Sequence, residues 1–442
     1  MRLGIGMEEK QTIVTTAGRD FRKTITLRHA VALYVSSVLG SGVLVLPGLA
    51  AKIAGPSSLI AWVLLSLASY PFAYTFASLS SRKPEAGGVY SFAKESFGPH
   101  VATLVGWLFA LWYITGGPAV VLIAASYLIF AFPLGRASVY LIATLVITVP
   151  FFVNLRGIKF SNRLQVAVMV SIVALLLAAV AASAGHVRPE NFVPFIPNGI
   201  APIGTAAALI FWSYLGYENV SNVAEEFRDP ERDFRRSITL SVIIIGILYI
   251  SVAAVTVGTL AYEAAGSVAP FAAIFSNVLG SFGTVGTALL AVFIIFGTAN
   301  AYTSGMSRVI YATARDGGLP KQICHLNSRG VPDRSLLLLF GSSILVLVIY
   351  YFFDVNLEVA LLIPSGGAIV VYIIGSMSGI KLLSVRGVRR TFPWMALIMS
   401  IIVLPFVGIW IIGALGVAVL SLSYSLIFNR ANAPEAEEEV TK

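Results

Sequence analysis

The chain has 442 residues, of which 57% are hydrophobic and 12% charged, and its mean hydropathy is +0.87. Water-soluble domains usually carry about 25% charged residues, so this composition excludes a protein whose whole surface faces water. The excess apolar surface is expected to face lipid. The net charge of +9 could indicate nucleic-acid binding, but basic residues that flank membrane helices explain it better. No nucleic-acid partner is therefore expected.

Residues that could bind a metal or catalyse a reaction are sparse. The single cysteine, Cys324, excludes an intramolecular disulfide, and none of the four histidines has a Cys, Asp or Glu at metal-ligand spacing. No nucleophile–base pair lies in the apolar segments. The sequence therefore predicts no enzyme activity, no catalytic residue, no metal site and no cofactor. The first 25 residues are polar and basic, and no cleaved signal peptide is expected.

Long uncharged stretches predict an all-α membrane protein, because a helix needs about 20 apolar residues to cross a bilayer. In chain order these stretches are 30–51, 57–81, 101–135, 137–155, 164–185, 192–217, 237–262, 264–307, 335–353, 359–380 and 391–429. The stretch 264–307 is interpreted as a short outer segment followed by one long helix. The stretch 391–429 is interpreted as two short spans that turn near Pro405 and Gly408. The prediction is 12 transmembrane helices.

The distribution of basic residues supports this count. If the connections alternate sides, 27 of the 30 Lys and Arg lie on one side, and only Lys52, Arg136 and Arg188 lie on the other. Such asymmetry is the positive-inside signal. The sequence therefore predicts a multi-pass protein of the plasma (cytoplasmic, or inner) membrane, with both termini cytoplasmic.

Two spans contain residues that interrupt a helix within the bilayer. The first span holds Gly40-Ser41-Gly42, and the sixth holds Ser213, Gly216 and Glu218 in one short stretch. Unwound backbone at membrane depth is tolerated only where it lines a cavity or is buried in protein. Paired interruptions in corresponding helices of two five-helix halves indicate a transporter's midplane binding site. Close helix packing through small residues is the alternative explanation for the glycines.

The chemistry of these breaks suits an α-amino acid. Amides at the start of a half-helix attract a carboxylate, and those of Ser41, Gly42 and Val43 are the candidates. Freed carbonyls attract an ammonium group. The candidate carbonyls lie near Ser37 and Val38 and between Phe211 and Tyr214.

The side chain of the substrate is expected to be neutral, because no Arg, Lys or His lies beside these residues. Phe211, Trp212 and Tyr214 would form a mostly apolar pocket. For Trp212, contact with lipid or packing in the core is the stronger interpretation.

Glu218 is the acidic residue that falls within a span. Charged groups at bilayer depth cost about 2.5–3.5 kcal/mol on insertion scales and usually mark proton or ion pathways. Glu218 is therefore a candidate gating or coupling residue. A structural, protonated acid hydrogen-bonded between helices is the alternative.

At these residues the sequence resembles the amino acid–polyamine–organocation (APC) superfamily of transporters. The resemblance covers nearly the whole chain. It rests on GSGV at 40–43, PEAGGVY at 84–90 with Gly98 and Gly106-Trp107, FWSYLGYE at 211–218, EE at 225–226 with DPER at 229–232, and Ser307-Arg308 with Tyr311 and ARDGGLP at 314–320. Each motif alone is weak, but five in this order form a specific pattern.

The resemblance implies the LeuT-type fold, with a 5+5 inverted repeat and broken helices 1 and 6. It also implies alternating access, in which helices 1, 2, 6 and 7 rock against helices 3, 4, 8 and 9. A cytoplasmic tail over 1–25 is expected before a core over 26–381. The repeats would cover about 26–188 and 192–381, followed by the last two helices over 391–429 and a disordered cytoplasmic tail over 430–442. One chain would be the functional unit, with the oligomeric state left open.

Two departures from the superfamily pattern bear on coupling and specificity. Many members carry a lysine on the fifth helix, near Ile172 here, but no lysine lies between Arg163 and Arg188. Ser37 and Leu44 replace the usual glycine and phenylalanine around the first break. The coupling ion could be H⁺ or Na⁺, and Thr303 with Ser304 form a candidate sodium site. Their alternative role is hydrogen bonding between helices.

Ser37, together with EFRDPERDF at 226–234, resembles bacterial exporters of methionine and branched-chain amino acids. This resemblance implies transport of neutral, mostly apolar L-amino acids (methionine, leucine, isoleucine and valine). Export is one direction consistent with it, and import or export is left open. The alternative is a proton- or sodium-coupled importer or exchanger of broader specificity, which would accept polyamines or cationic amino acids.

Overall fold

The computed structural model of the chain describes residues 27, 31, 34, 35, 38–82, 88–157, 162–218, 230–383 and 387–428. The predicted N-terminal tail over 1–25, Ser37, and the predicted C-terminal tail over 430–442 lie outside the described residues. The part that is described consists of helices joined by turns and loops, without strands. This architecture agrees with the all-α prediction.

Thirteen α-helices are numbered here in chain order. They are α1 (Leu46–Ala54), α2 (Ser58–Arg82), α3 (Val89–Phe97), α4 (Pro99–Ala131), α5 (Arg136–Leu155), α6 (Asn162–Ser183), α7 (Ala201–Ile210), α8 (Pro230–Gly258), α9 (Pro270–Arg315), α10 (Asp333–Phe352), α11 (Leu357–Leu382), α12 (Thr391–Val403) and α13 (Ile411–Phe428). Short 3₁₀ turns at Ser41–Leu44 and Phe211–Tyr214 precede α1 and follow α7.

Nine helical segments of the described chain are long and apolar enough to cross a membrane. Three of them contain a break or bend. The first, Leu46–Arg82, joins α1 and α2 through a 3₁₀ turn at Gly55–Ser57. The helix α9 bends at Gly280, whose φ of 55° and ψ of −137° are not helical. The segment Thr391–Ile427 bends at Gly408, whose φ is 66°. Both glycines adopt a φ that residues with a side chain rarely adopt.

The bends agree with two expectations from the sequence. A short segment before Gly280 precedes the long part of α9, as expected for 264–307. The turn between α12 and α13 lies at Pro405 and Gly408, the residues expected to divide 391–429.

The sixth predicted span begins later than expected. The charge-free stretch starts at 192, but α7 starts at Ala201, and residues 193–200 form a loop. Pro194 and Pro197 lack the backbone N–H that a helix needs, and Gly199 has a φ of 80°. Absence of charge therefore overestimated the length of this helix.

The centre of the molecule is formed by α4, which contacts α3, α5, α9, α10, α11 and α13. Close approach between helices depends on small residues. A Cβ atom on Gly106 of α4 would lie 2.6 Å from Cγ2 of Thr313 on α9. A Cβ on Gly204 of α7 would lie 2.1 Å from the ring of Phe406. These contacts hold α4 against α9 and α7 against the turn that contains Phe406.

The helix α3 is too short to span a membrane. Its polar groups contact the ends of α2, α9 and α11. Lys94 forms an ion pair of 2.7 Å with Asp316, the residue after α9. Arg82, the last residue of α2, forms an ion pair of 2.8 Å with Glu95. Lys381 of α11 donates a hydrogen bond of 2.6 Å to the carbonyl of Ser96. No helix was predicted here from the sequence, because α3 does not have the length or hydropathy of a span.

Candidate functional site

The first break lies where the chain leaves Val38 and enters α1. Gly40 is extended, with φ −100° and ψ −160°, and the 3₁₀ turn Ser41–Leu44 is entirely buried. The first amides of such a turn have no acceptor within the turn, and no side chain caps its start. The amides of Ser41, Gly42 and Val43 therefore lie at the start of a short buried turn, as the sequence analysis expected.

The second break follows α7. After the 3₁₀ turn Phe211–Tyr214, Leu215 is extended, with φ −76° and ψ 147°. Gly216 has a φ of 122°, a conformation that favours glycine. The backbone around Ser213 and Gly216 is therefore non-α-helical, which agrees with the break expected in the sixth span.

The two breaks are in direct contact. A Cβ atom on Gly42 would lie 2.8 Å from Oγ of Ser213, 2.8 Å from Cδ1 of Trp212 and 3.2 Å from Cδ1 of Leu46. Gly42 is therefore needed for close approach. The Oγ atom of Ser213 is fully buried and has no hydrogen-bond partner among the described residues.

The hydroxyl of Tyr249 on α8 links the two breaks. It lies 3.0 Å from the carbonyl oxygen of Val38 and 3.0 Å from that of Ser213, and its single hydrogen is shared between these two acceptors. Both carbonyls belong to the sets proposed for the ammonium group, and each oxygen can accept more than one hydrogen bond. Tyr249 was not among the site residues predicted from the sequence. Its only signal is a phenol hydroxyl in an apolar span, where such a group needs a partner.

An aromatic cluster supports Tyr249. The ring of Trp62 lies 5.3 Å from the ring of Tyr249 and 6.2 Å from that of Tyr214. The Tyr214 hydroxyl lies 2.6 Å from Oγ of Ser66 on α2. Tyr214 therefore joins the second break to α2, and its side chain is fully buried away from the cavity described below.

Glu218 is buried behind the second break, with 6% of its surface exposed. Its Oε2 atom accepts hydrogen bonds from the amide of Gly216 at 2.9 Å and from the hydroxyl of Tyr372 at 2.5 Å. The Tyr372 ring packs edge-on against the rings of Phe72 and Phe211. Tyr372 lies on α11 and was not singled out from the sequence. The carboxyl group therefore connects the second break to α11.

A cavity lies on the other side of Trp212. Its walls come from α4, α5, α9 and α10, and they include Trp112, Tyr113 and Tyr302. Trp212 lines the cavity, whereas Phe211 and Tyr214 pack elsewhere. A Cβ on Gly116 would lie 2.5 Å from Cη2 of Trp212. The indole therefore spans the distance from Gly42 to α4, and it packs inside the protein rather than against lipid.

Thr303 also lines this cavity. Its Oγ1 atom donates to the carbonyl of Ala299 at 2.7 Å and lies 2.5 Å from the hydroxyl of Tyr113. The neighbouring carbonyl of Ser304 accepts from Ser307 Oγ at 2.9 Å. Thr303 thus forms a hydrogen bond between α4 and α9. In the described part of the chain, no three His, Cys, Asp or Glu side chains form a group suited to a metal ion.

Comparison with known proteins identifies the family. A model of the family described as "Amino acid permease" matches residues 25–434. The chain is 34% identical over 379 residues to "Uncharacterized amino acid permease YecA" of Bacillus subtilis (strain 168), covering 86% of this chain and 89% of that protein.

Two further relatives have more specific names. The chain is 29% identical over 394 residues to "L-methionine/branched-chain amino acid exporter YjeH" of Escherichia coli (strain K12), covering 88% of this chain and 92% of that protein. It is 27% identical over 345 residues to "Branched-chain amino acid permease BcaP" of Bacillus subtilis (strain 168), covering 72% of each. The match over nearly the whole chain, together with the long apolar helices, shows that this protein is a multi-pass membrane transporter and belongs to the amino acid permease family of the APC superfamily.

Proposed function

We propose that the protein carries out secondary active transport of neutral, mostly apolar L-amino acids across the plasma membrane by alternating access. The observation that carries the proposal is the contact between the two breaks at Gly42 and Ser213. The amides of Ser41, Gly42 and Val43 would bind the substrate carboxylate. The carbonyls of Val38 and Ser213 would accept hydrogen bonds from its ammonium group, and Ser213 Oγ is available beside them. This arrangement offers hydrogen-bond donors for the carboxylate of a zwitterion and acceptors for its ammonium group.

We place this site in a LeuT-type fold of 12 spans, two inverted five-helix repeats followed by α12 and α13. The breaks fall in the first and sixth predicted spans, which are corresponding helices of the two repeats. The bends at Gly280 and Gly408 divide two of the long helical segments, which supports the count. The distribution of 27 against 3 basic residues supports cytoplasmic termini. Because one chain holds both breaks, we take the monomer as the functional unit.

Methionine, leucine, isoleucine and valine are the proposed substrates. The cavity beside Trp212 is lined mainly by apolar and aromatic side chains, with no charged residue. Two of the relatives are named for methionine or branched-chain amino acids. The name of one of them supports export, and the other is named only as a permease.

We propose Glu218 as the group that couples transport to H⁺. It contacts the backbone of the second break at Gly216 and α11 through Tyr372, so a change in its protonation would act on both. Sodium coupling through Thr303 and Ser304 is the second candidate. To bind sodium, the Thr303 hydroxyl would have to give up its hydrogen bond with Tyr113 and contact the ion instead.

Counterflow in proteoliposomes tests the function. Vesicles loaded with unlabelled methionine or leucine should accumulate the labelled amino acid, and neutral apolar amino acids should compete. A proton or sodium gradient applied in separate samples would distinguish the coupling ions. If folded protein accumulates only cationic amino acids or polyamines, the neutral substrate class is wrong. If it gives flux without counterflow, transport by alternating access is wrong.

A further inference from the structure

The cavity beside Trp212 has a wall that two adjacent glycines keep open. Gly116 and Gly117 lie in the middle of α4, and a Cβ on Gly116 would overlap the Trp212 ring. A Cβ on Gly117 would meet Oγ of Ser343 at 3.8 Å, which is ordinary contact. The absence of a side chain at Gly117 therefore leaves space next to Ser343. Aliphatic side chains of Val120, Ile147 and Met306 complete much of the surface.

Ser343 on α10 supplies a polar atom to this apolar wall. The side chain is 1% exposed, and its Oγ atom has no hydrogen-bond partner within the described chain. Many buried hydroxyls in these helices donate to the carbonyl one turn earlier, as Thr303, Ser365 and Ser400 do. Ser343 does not. A buried donor without a partner is unfavourable, so an occupant that accepts its hydrogen bond would be favoured.

The other hydroxyls at the cavity wall include a pair that is already satisfied. Tyr113 and Thr303 lie 2.5 Å apart and bond to each other. A side-chain amide would bring two donors and an acceptor with two lone pairs, whereas Ser343 offers a single hydroxyl. A pure hydrocarbon would leave Ser343 unpaired. A thioether brings one weak acceptor on an apolar, polarisable chain that packs well against aromatic rings such as Trp112 and Trp212.

We propose that this cavity receives the side chain of the transported amino acid and that the Ser343 hydroxyl donates to a thioether sulfur. Ser343 is then a specificity-determining residue that favours methionine over norleucine, its all-carbon isostere. The inference rests on the proposed function. The backbone groups of the substrate would lie at the two breaks, and its side chain would pass the edge of Trp212, whose indole contacts Gly42 on one side and Gly116 on the other.

The test compares methionine and norleucine as competitors of labelled leucine counterflow, in wild type, Ser343→Ala and Ser376→Ala. Ser376 on α11 is the matched control. It is fully buried, its hydroxyl also has no partner in the described part of the structure, and it does not line the cavity. We expect methionine to compete about three- to tenfold more strongly than norleucine in wild type. The preference should disappear in Ser343→Ala and persist in Ser376→Ala.

Gly117→Ala provides a second variant that the structure accommodates. The added methyl group would contact Ser343 Oγ and Cε1 of Tyr113 at 3.8 and 4.0 Å and would occupy the space for the end of a long side chain. We expect the apparent affinity for methionine to fall about tenfold, while that for alanine changes little. Gly341→Ala on α10, with no atom within 4 Å of its Cβ position, is the control.

The outcomes separate this inference from the proposed function. Equal competition by methionine and norleucine in wild type would overturn the inference and leave neutral amino acid transport intact. A methionine preference that survives in Ser343→Ala would also overturn it. The absence of leucine, methionine and norleucine counterflow from folded wild-type protein would overturn both the inference and the proposed function.

Discussion

Gly42 and Ser213 face each other across the two helix breaks, and a Cβ atom on Gly42 would lie 2.8 Å from Oγ of Ser213. This separation is closer than Cβ atoms approach in folded proteins, so the contact depends on glycine. It brings backbone from the first and sixth predicted spans to one place. In the proposed site, the amides of the first break and the carbonyl of Ser213 would bind opposite ends of one small molecule.

Replacing Gly42 should therefore impair transport. We expect Gly42→Ala to lower counterflow at least tenfold and to destabilise the fold by about 1–3 kcal/mol, because the methyl group overlaps Ser213 and Trp212. Gly40→Ala is the control. Its Cβ would have Val38 O as its nearest neighbour at 3.9 Å, and the φ of −100° suits alanine. Proteoliposome counterflow and the thermal midpoint of the purified protein measure both effects. Equal activity of the two variants would contradict the carboxylate site.

Removing the Tyr249 hydroxyl, which links the two breaks, should weaken the contact between them. Tyr249→Phe deletes the hydrogen bonds to the Val38 and Ser213 carbonyls and leaves the ring in contact with Trp62. We expect a loss of stability of about 1–2 kcal/mol and an altered apparent substrate affinity. Tyr70→Phe, whose ring packs against Phe392 away from the breaks, should change neither. The measurements are the thermal midpoint and concentration-dependent counterflow. A Tyr249→Phe variant with wild-type values for both would exclude a linking role.

The variant Glu218→Gln tests whether Glu218 couples transport to H⁺. Glutamine can still accept from the Gly216 amide but cannot titrate, so we expect folded protein whose transport depends less on pH. Tyr372→Phe removes the 2.5 Å hydrogen bond to Glu218 while leaving the acid titratable. This variant should shift the pH profile without flattening it. Uptake is measured between pH 5 and 8 in proteoliposomes of defined internal pH. An unchanged profile in Glu218→Gln would show that Glu218 has a structural role.

The ion pair between Lys94 and Asp316 should make stability depend on pH. Burial alone would raise the pKa of Asp316, but the hydrogen bond and charge of Lys94, together with the Tyr90 hydroxyl and Arg315, hold this pKa below its ordinary value. A carboxyl group with a lowered pKa stabilises the fold above its unfolded pKa of about 3.9. That stabilisation is lost as the pH falls through the folded pKa.

Asp316→Asn should therefore lower the thermal midpoint by about 1–3 °C at pH 7, and the difference from wild type should shrink below about pH 4. Lys321→Ala serves as the control, because Lys321 is exposed and is not among the ion-pair partners of Asp316. The measurement is thermal unfolding in detergent across this pH range. A difference that stays constant down to pH 3 would contradict the contribution of the ionised carboxyl group.

The sequence alone determined the features that depend on local composition. Hydropathy identified most spans, because crossing a bilayer requires a continuous apolar helix. Glycines at 40, 42 and 216 indicated the breaks, since helix interruption is a property of neighbouring residues. The turn at Pro405 and Gly408 was predicted for the same reason. The first residue of α7 was not predicted correctly, because absence of charge does not distinguish a helix from a loop that contains Pro194 and Pro197.

Only the tertiary structure decided which side chains meet. Tyr249 and Tyr372 look like ordinary tyrosines in apolar helices, and their roles depend on where Val38, Ser213 and Glu218 lie in space. From its neighbours in sequence, Trp212 is expected either to contact lipid or to pack in the core. Its contacts with Gly42 and Gly116 place it between the breaks and a cavity. Contacts between distant helices result from close packing of the whole bundle, and the pattern of a single span does not contain that information.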